Sequence, residues 1–305
     1  MRILRDPVSL QRCVLALGTF DGVHLGHQAL LMRGGELAGE LGCPLVACTF
    51  EPHPLRVLRP EIAPSMLTTL PERAALMASY GVDNLCVTTF TRERADQSAE
   101  DYMDELTRVY QPAAVVCGYN FTFGRGGQGT GETLRAYGMA HGFETVIVPE
   151  VRVAGAPVSS SRIREALRQG DLPLVARLMG HAYTLSGRVA DGKHIGRTLG
   201  FPTANVTISR GKALPAFGVY ACWLETAMGY YPAVVNVGRH PTLPEGHVTV
   251  EAYVLDANLS LYGQRVRLTF LRFQRPERIF DGVEALQAQI AQDTEECRAY
   301  FAALR

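Results

Sequence analysis

Two histidines three residues apart, His24 and His27, lie in the stretch Gly18-Thr19-Phe20-Asp21-Gly22-Val23-His24-Leu25-Gly26-His27. At helical spacing they share one face of a first turn. Two imidazoles there can donate hydrogen bonds to one phosphorus centre while charge builds on its oxygens. The three glycines let a backbone come close to a ligand. A helix beginning near His24 turns unpaired N–H groups and the positive end of its dipole toward the turn, which suits a phosphate. Two plainer readings stand beside this one. A zinc half-site needs a third and fourth ligand, and no other His, Cys or carboxylate cluster has partner spacing; the pair could also be structural, capping a turn.

Further segments carry chemistry-bearing residues. Phe50-Glu51-Pro52-His53-Pro54 reads as a rigid loop, because its prolines deny it helix or central strand. Gly118-Tyr119-Asn120-Phe121-Thr122-Phe123-Gly124-Arg125-Gly126-Gly127 interleaves aromatics with an amide, an arginine and glycines. It reads as a surface loop able to stack a flat ring and contact phosphate, or as an aromatic cluster of the core. Val158-Ser159-Ser160-Ser161-Arg162-Ile163-Arg164 reads as a serine-capped helix. Its alternative is a second anion clamp, with hydroxyls and N–H groups at the helix start and Arg164 one turn in. Near the middle of the chain, Gly187-Arg188-Val189-Ala190-Asp191-Gly192-Lys193-His194 almost matches a P-loop. That match fails, because His194 replaces the hydroxyl that would hold magnesium and no helix follows. In the overlapping run Gly192 to Asn205, Gly196 and Gly200 permit a loop over phosphates. Thr203 and Asn205, two apart on a strand, present oxygens on one face to a hard cation such as Mg²⁺. Glu251 is a carboxylate on an alternating strand, able to take a hydroxyl proton or simply to face water.

The elements that must position these groups follow from the pattern of apolar runs. Runs at 13–17, 45–50, 85–90, 113–117 and 145–148 alternate with helical patterns at 28–41, 71–80, 99–110 and 132–141. Strands apolar throughout and alternating with helices predict a parallel sheet covered on both faces, with ligands at the carboxyl ends of its strands. A short helix is expected over 172–179 and a joint at Gly180-His181. Beyond it, glycine and proline become dense and β-like runs follow at 183–189, 203–208, 218–225, 233–237, 248–255 and 265–273. Their alternating polarity suits antiparallel strands. A long helical pattern from 282 to 304, with Asp281 as its expected cap, closes the chain. Two domains are expected, 1–180 and 181–305.

Thirty basic residues cancel thirty acidic ones over 305 residues. No global field draws such a chain to nucleic acid or anionic lipid, which favours small-molecule substrates. Seven cysteines, an odd count without a C-x-x-C pair, read as reduced core residues of a cytoplasmic protein. The start of the chain lacks the apolar segment of an export signal, and no uncharged run approaches the ~18 residues of a membrane span.

Taken together, these motifs resemble a known family. The spacing of His24 and His27 is similar to the signature of HIGH-type nucleotidyltransferases, and the longer stretch resembles their flavin-nucleotide branch. Residues 192–205 resemble a riboflavin-kinase motif, G-R-x-L-G-F-P-T-A-N. Val250 to Asp256 resembles V-E-x-(H/Y)-(L/V)-L-D. Val234 to Thr242 resembles N-I-G-x-R-P-T, with Arg239 and His240 departing from its order. On these residues the chain is identified as a member of the bifunctional riboflavin kinase/FMN adenylyltransferases, the prokaryotic FAD synthetases. The resemblance implies a Rossmann-like α/β nucleotidyltransferase domain followed by an all-β riboflavin-kinase barrel with a terminal helix. It implies phosphorylation of riboflavin to FMN with MgATP, then adenylylation of FMN to FAD. His24, His27 and Arg164 would be catalytic in the second reaction, and Glu251 in the first. Gly18, Phe20, Asp21, Gly26, Asn120, Ser160 and Ser161 would bind one ATP, Gly192, Gly196 and Gly200 the other, and Thr203 and Asn205 the Mg²⁺. Two rivals remain: a nucleotidyltransferase for another phosphate acceptor, and a flavin-binding regulator with decayed catalysis.

Overall fold

A short strand begins the chain, β1 (Arg2–Arg5), paired in parallel with residues 84–87. No apolar run announces it, since its arginines leave it largely exposed at a sheet edge. There follow β2 (Cys13–Leu17), α1 (Leu25–Leu41), β3 (Leu45–Glu51), α2 (Pro54–Leu58), α3 (Leu70–Ser79), β4 (Asn84–Thr89), α4 (Arg92–Ala95), α5 (Ala99–Tyr110), β5 (Pro112–Gly118), the short pair β6 (Thr122–Phe123) and β7 (Gly129–Thr130), α6 (Gly131–His141) and β8 (Glu144–Val148). A two-residue hairpin, β9 (Arg152–Val153) and β10 (Ala156–Pro157), comes next. The computed structural model describes residues 1–6, 10, 12–190, 201–239, 248–257 and 259–304. By packing they form two units, Met1–Ser160 and Ser161–Arg305.

In the first unit the strand order is β1-β4-β3-β2-β5-β8, with all pairings parallel. Alternate residues of β2 serve opposite faces, as strand geometry requires. Val14 and Ala16 pack with Leu30, Leu31 and Met77 of α1 and α3. Leu15 and Leu17 pack with Met103, Leu106 and Leu134 of α5 and α6. Both faces are therefore dry, which is why the strands read as unbroken apolar runs. The chain moves outward from β2 through β3 to β4, then returns to add β5 on the other side of β2. The order thus reverses between β2 and β5, and ligands bind such sheets where their strand order reverses.

Two local expectations need correction. The prolines at 52 and 54 do not keep this segment out of a helix: α2 starts at Pro54, with His53 accepting the Leu55 N–H as its cap. Proline costs nothing at a first helical position, whose N–H has no helical partner.

The boundary falls at the first residue of α7 (Ser160–Arg168), and α8 (Leu172–Met179) follows in the second unit. It continues with β11 (Thr184–Ala190), β12 (Thr203–Ile208), β13 (Gly218–Thr226), β14 (Gly229–Arg239), β15 (Val248–Val254) and β16 (Arg265–Pro276). These six strands close into an antiparallel barrel in the order β11-β12-β15-β14-β13-β16, and β16 pairs back to β11. Inward residues such as Leu185, Ala204, Val235, Ala252 and Phe270 fill it. The last helix, α9 (Val283–Ala302), lays Cys297 and Phe301 on Val219, Ala221 and Val234 outside the barrel. Here the second correction applies. The cap position is Gly282, with no side-chain cap bond, and not Asp281. The helix is instead pinned by Asp293, whose carboxylate takes a bidentate pair from Arg275 at 2.8 and 2.7 Å.

Candidate active site

The turn leaving β2 is held from several sides. Asp21, 1 % exposed, accepts the Leu67 and Thr68 amides and the Thr68 hydroxyl on its carboxylate oxygens. Gly22 N–H donates to Thr68 Oγ1, and Gln28 Nε2 donates to Val23 O at 2.8 Å. Val23, a β-branched residue, is kept at φ +40°, and Phe20 at φ +52°. Such conformations persist only where the surroundings over-determine them. The turn is therefore rigid, and it delivers His24 to the N-cap position of α1.

His24 Nδ1 accepts the His27 N–H at 3.3 Å, so in the neutral ring the proton sits on Nε2. The two imidazoles stack with centroids 3.7 Å apart and 13° between planes. A Cβ on Gly26 would come within 3.2 Å of the His24 ring, so glycine leaves the ring its place. His27 Nδ1 is buried without a hydrogen-bond partner. Burial first, then His24 and Arg73, hold the His27 pKa well below its ordinary value. The ring is thus a neutral donor at physiological pH, not a cation.

Both histidines line a cavity of about 390 Å³ at the reversal point of the sheet. This lies within the size range of small-ligand pockets, roughly 300–1,000 Å³. Gly18 and Leu17 border it at the end of β2, and Gly118 at the end of β5. Asn120 and Ser160 also line it, with Tyr119, Phe121, Tyr102 and Leu106 supplying apolar and aromatic wall. Asp21 and Phe20 do not line it: the first is spent on the 67–68 amides and the second is core. Ser160 Oγ donates to Asp21 O at 2.9 Å. Ser161 and Arg164 follow on α7. Arg125 donates to Asp96 O through Nε and Nη2, and so ties down the segment after α4. Cys48 also lines the cavity, but its hydrogen bond to the Cys86 thiol, together with burial, pushes its pKa well up. A thiol so placed is a poor nucleophile.

In the barrel, the register sets Asn205 opposite Glu251 and Glu251 opposite Asn236, across β12, β15 and β14. Directly paired residues share a face, so a carboxylate stands between two amides. Thr203, two residues before Asn205, shares that face and borders a smaller cavity of about 150 Å³ with Pro202, Ser260 and Tyr262. This hard-oxygen donor set fits Mg²⁺. Gly187 belongs to β11, where a Cβ would clash with Thr207 O, and the apparent P-loop begins as a strand. Arg239 ends β14 with its guanidinium 5.6 Å from the Phe217 ring centre. Gly192, Gly196, Gly200 and His240 lie outside the described residues.

A family model described as FAD synthetase matches residues 6–162, and one described as riboflavin kinase matches residues 179–301. A Listeria monocytogenes bifunctional riboflavin kinase/FMN adenylyltransferase is 36% identical over 95% of this chain and 93% of its own. The chain belongs to this bifunctional family. An Escherichia coli K12 relative of the same description is 36% identical over 99% of this chain and 98% of its own. A Streptococcus pneumoniae crystal structure described as a macrolide-efflux protein superposes with a TM-score of 0.89 at 29% identity, covering 98% of this chain and 99% of that one. No helix among the described residues is long and apolar enough to cross a membrane.

Within the family frame, several wall residues carry no local sequence signal. Thr49 and Thr88 are polar side chains near the carboxyl ends of apolar strands, which is the one trace that could have marked them. Arg94 and Glu105, joined at 2.8 and 3.2 Å, come together from separate helices to border the cavity. Asn236 stands in a quoted motif, but only the strand register brings it to Glu251.

Proposed function

We propose that this chain makes FMN and ADP from riboflavin and ATP in residues 181–305. In residues 1–180 it then transfers AMP from a second ATP to FMN, giving FAD and pyrophosphate. The observation that carries this reading is the stacked His24–His27 pair at the start of α1, opening on the cavity at the sheet's reversal point.

For adenylyl transfer, an FMN phosphate oxygen attacks the α-phosphorus of ATP in line. The bond to the β-phosphate oxygen breaks, and pyrophosphate leaves with the electron pair. No covalent enzyme intermediate is needed, so catalysis is positioning plus charge stabilisation. His24 donates from Nε2 to an α-phosphoryl oxygen. Neutral His27 stands beside it as a second donor, and the amides of the first turn of α1 add the helix-end field. Ser160, with its single hydroxyl proton given to Asp21 O, offers pyrophosphate its backbone N–H. Ser161 and Arg164 hold the remaining charge of the leaving group. Asn120 and the aromatic wall around Tyr119 and Phe121 take the flat rings of the substrates.

For phosphoryl transfer, Glu251 accepts the proton of the riboflavin 5′-hydroxyl as that oxygen attacks the γ-phosphorus. Thr203 and Asn205 would hold a Mg²⁺ ion, which when bound neutralises charge on the ATP phosphates. Gly192, Gly196 and Gly200 are assigned to the loop over those phosphates. The free state of all seven cysteines supports a reducing, cytoplasmic setting.

The test is incubation of the purified protein with riboflavin, ATP and Mg²⁺, followed by chromatography of the flavins. FMN appearing first and FAD second supports the reading. Flavin bound but unchanged favours a decayed regulator, and pyrophosphate release only with some other phosphate acceptor favours a different nucleotidyltransferase.

A further inference from the structure

Arg73, on α3, is the largest wholly buried side chain of the protein's described residues, at 1 % exposure. Its Nη1 donates to Thr49 Oγ1 at 3.3 Å, and Thr49 Oγ1 donates on to Thr19 O at 3.1 Å. A relay thus runs from α3 through β3 to the turn that carries His24. Its Nε is buried with no hydrogen-bond partner. Thr49 and His27 line the cavity and Arg73 does not, so the guanidinium sits behind the wall. A buried cation left partly unsatisfied is costly and calls for a reason.

We propose that Arg73 is a positioning residue for adenylyl transfer, a fixed cation that ties Thr49 to the phosphate turn and projects positive potential through the His27 wall onto the nucleotide phosphates. This rests on the reading of the cavity as the adenylyl site. At low effective dielectric a unit charge acts across a layer of side chains, and it acts on two things. Phosphate anions are favoured, and protonation of His27 is disfavoured, in the direction that burial and His24 already push. The groups that face this pair are His24, stacked on His27, and Asp21 and Glu51, whose carboxylates act on Arg73.

The experiment compares wild type, Arg73→Met and Arg73→Lys in FAD formation from supplied FMN across pH, and follows the His27 imidazole by NMR titration. Arg73→Met is expected to lower kcat by ~10-fold or more, to raise the His27 midpoint, and to bring an acidic limb into the pH profile. Arg73→Lys is expected to keep the low midpoint, and FMN formation stays normal in both variants. Lost activity with the His27 midpoint and pH profile unmoved would mean a merely structural role and overturn the proposal, as would wild-type kinetics in a folded Arg73→Met. Should that variant not fold, a wild-type His27 midpoint at the ordinary value near 6.5 overturns the proposal by itself. Wild-type FAD formation by His24→Ala would instead sink the adenylyl reading, while the His27 titration still decides the action of the charge.

Discussion

The ring of His24 accepts the backbone N–H of His27 while its face lies 3.7 Å from the ring of His27. One side chain is therefore the cap of α1 and, in the proposed adenylyl transfer, a donor to substrate, and substitutions can separate the two duties. His24→Asn keeps a capping oxygen and loses the Nε2 donor. It should hold stability near wild type, whereas His24→Ala gives up about 1 kcal/mol. Both should lower FAD formation by ~10²-fold or more with FMN formation near normal. Urea melts and the two activity assays check this, and an asparagine variant with full FAD activity would contradict it.

His27 also predicts a pH dependence of stability. Its folded pKa lies well below 6.5, the unfolded value. Above pH 6.5 neither state is protonated and the group contributes nothing. Below it the unfolded chain takes up a proton that the folded chain refuses, so stability falls with falling pH, by at most about 1.4 kcal/mol per pH unit. The fall ends once the pH passes the folded value. Urea unfolding at several pH values should show this slope in wild type and its loss in His27→Gln; equal slopes would refute the assignment.

Asp21 organises the turn without touching the cavity. Asp21→Ala leaves the Leu67 and Thr68 amides without their acceptor, at a cost of roughly 1–3 kcal/mol. The turn should then relax and misalign the histidines. FAD formation is expected to be lost at lower urea than in wild type, with FMN formation little affected.

In the barrel, Glu251→Ala removes the proposed base and should lower FMN formation by ~10²-fold or more, with FAD still made from supplied FMN. Asn236→Ala, one strand over, should lower the same activity by less than Glu251→Ala does, because Asn236 stands directly opposite Glu251 on the same face. A kinase indifferent to Glu251→Ala would remove that role.

What the sequence announces here is what is local. The runs at 45–50, 85–90, 113–117 and 145–148 match their strands within one residue at each end, because burial on both faces leaves them apolar apart from a few threonines, which suit a strand. The His24–His27 pair is legible for the same reason, its geometry being a single helical turn. β1 was silent because an edge strand tolerates Arg2 and Arg5. The missing cap at Asp281 and the helix at Pro54 show local rules yielding to context. Partnerships across the chain left no trace at all. Asp21 finds Thr68 47 residues away, Arg94 meets Glu105 across two helices, and Arg73 looks like any arginine on a helix until the fold buries it.

The central claim, two ATP-using reactions in one chain, is tested most directly by following phosphorus. Riboflavin and Mg²⁺ are supplied with ATP labelled at either the α- or the γ-phosphorus, and the flavins are separated over time. The account predicts γ-label in FMN and later in FAD, and α-label in FAD alone, with the α-label lost in His24→Ala. Flavin products carrying no α-label in wild type, or α-label undiminished in His24→Ala, would contradict it.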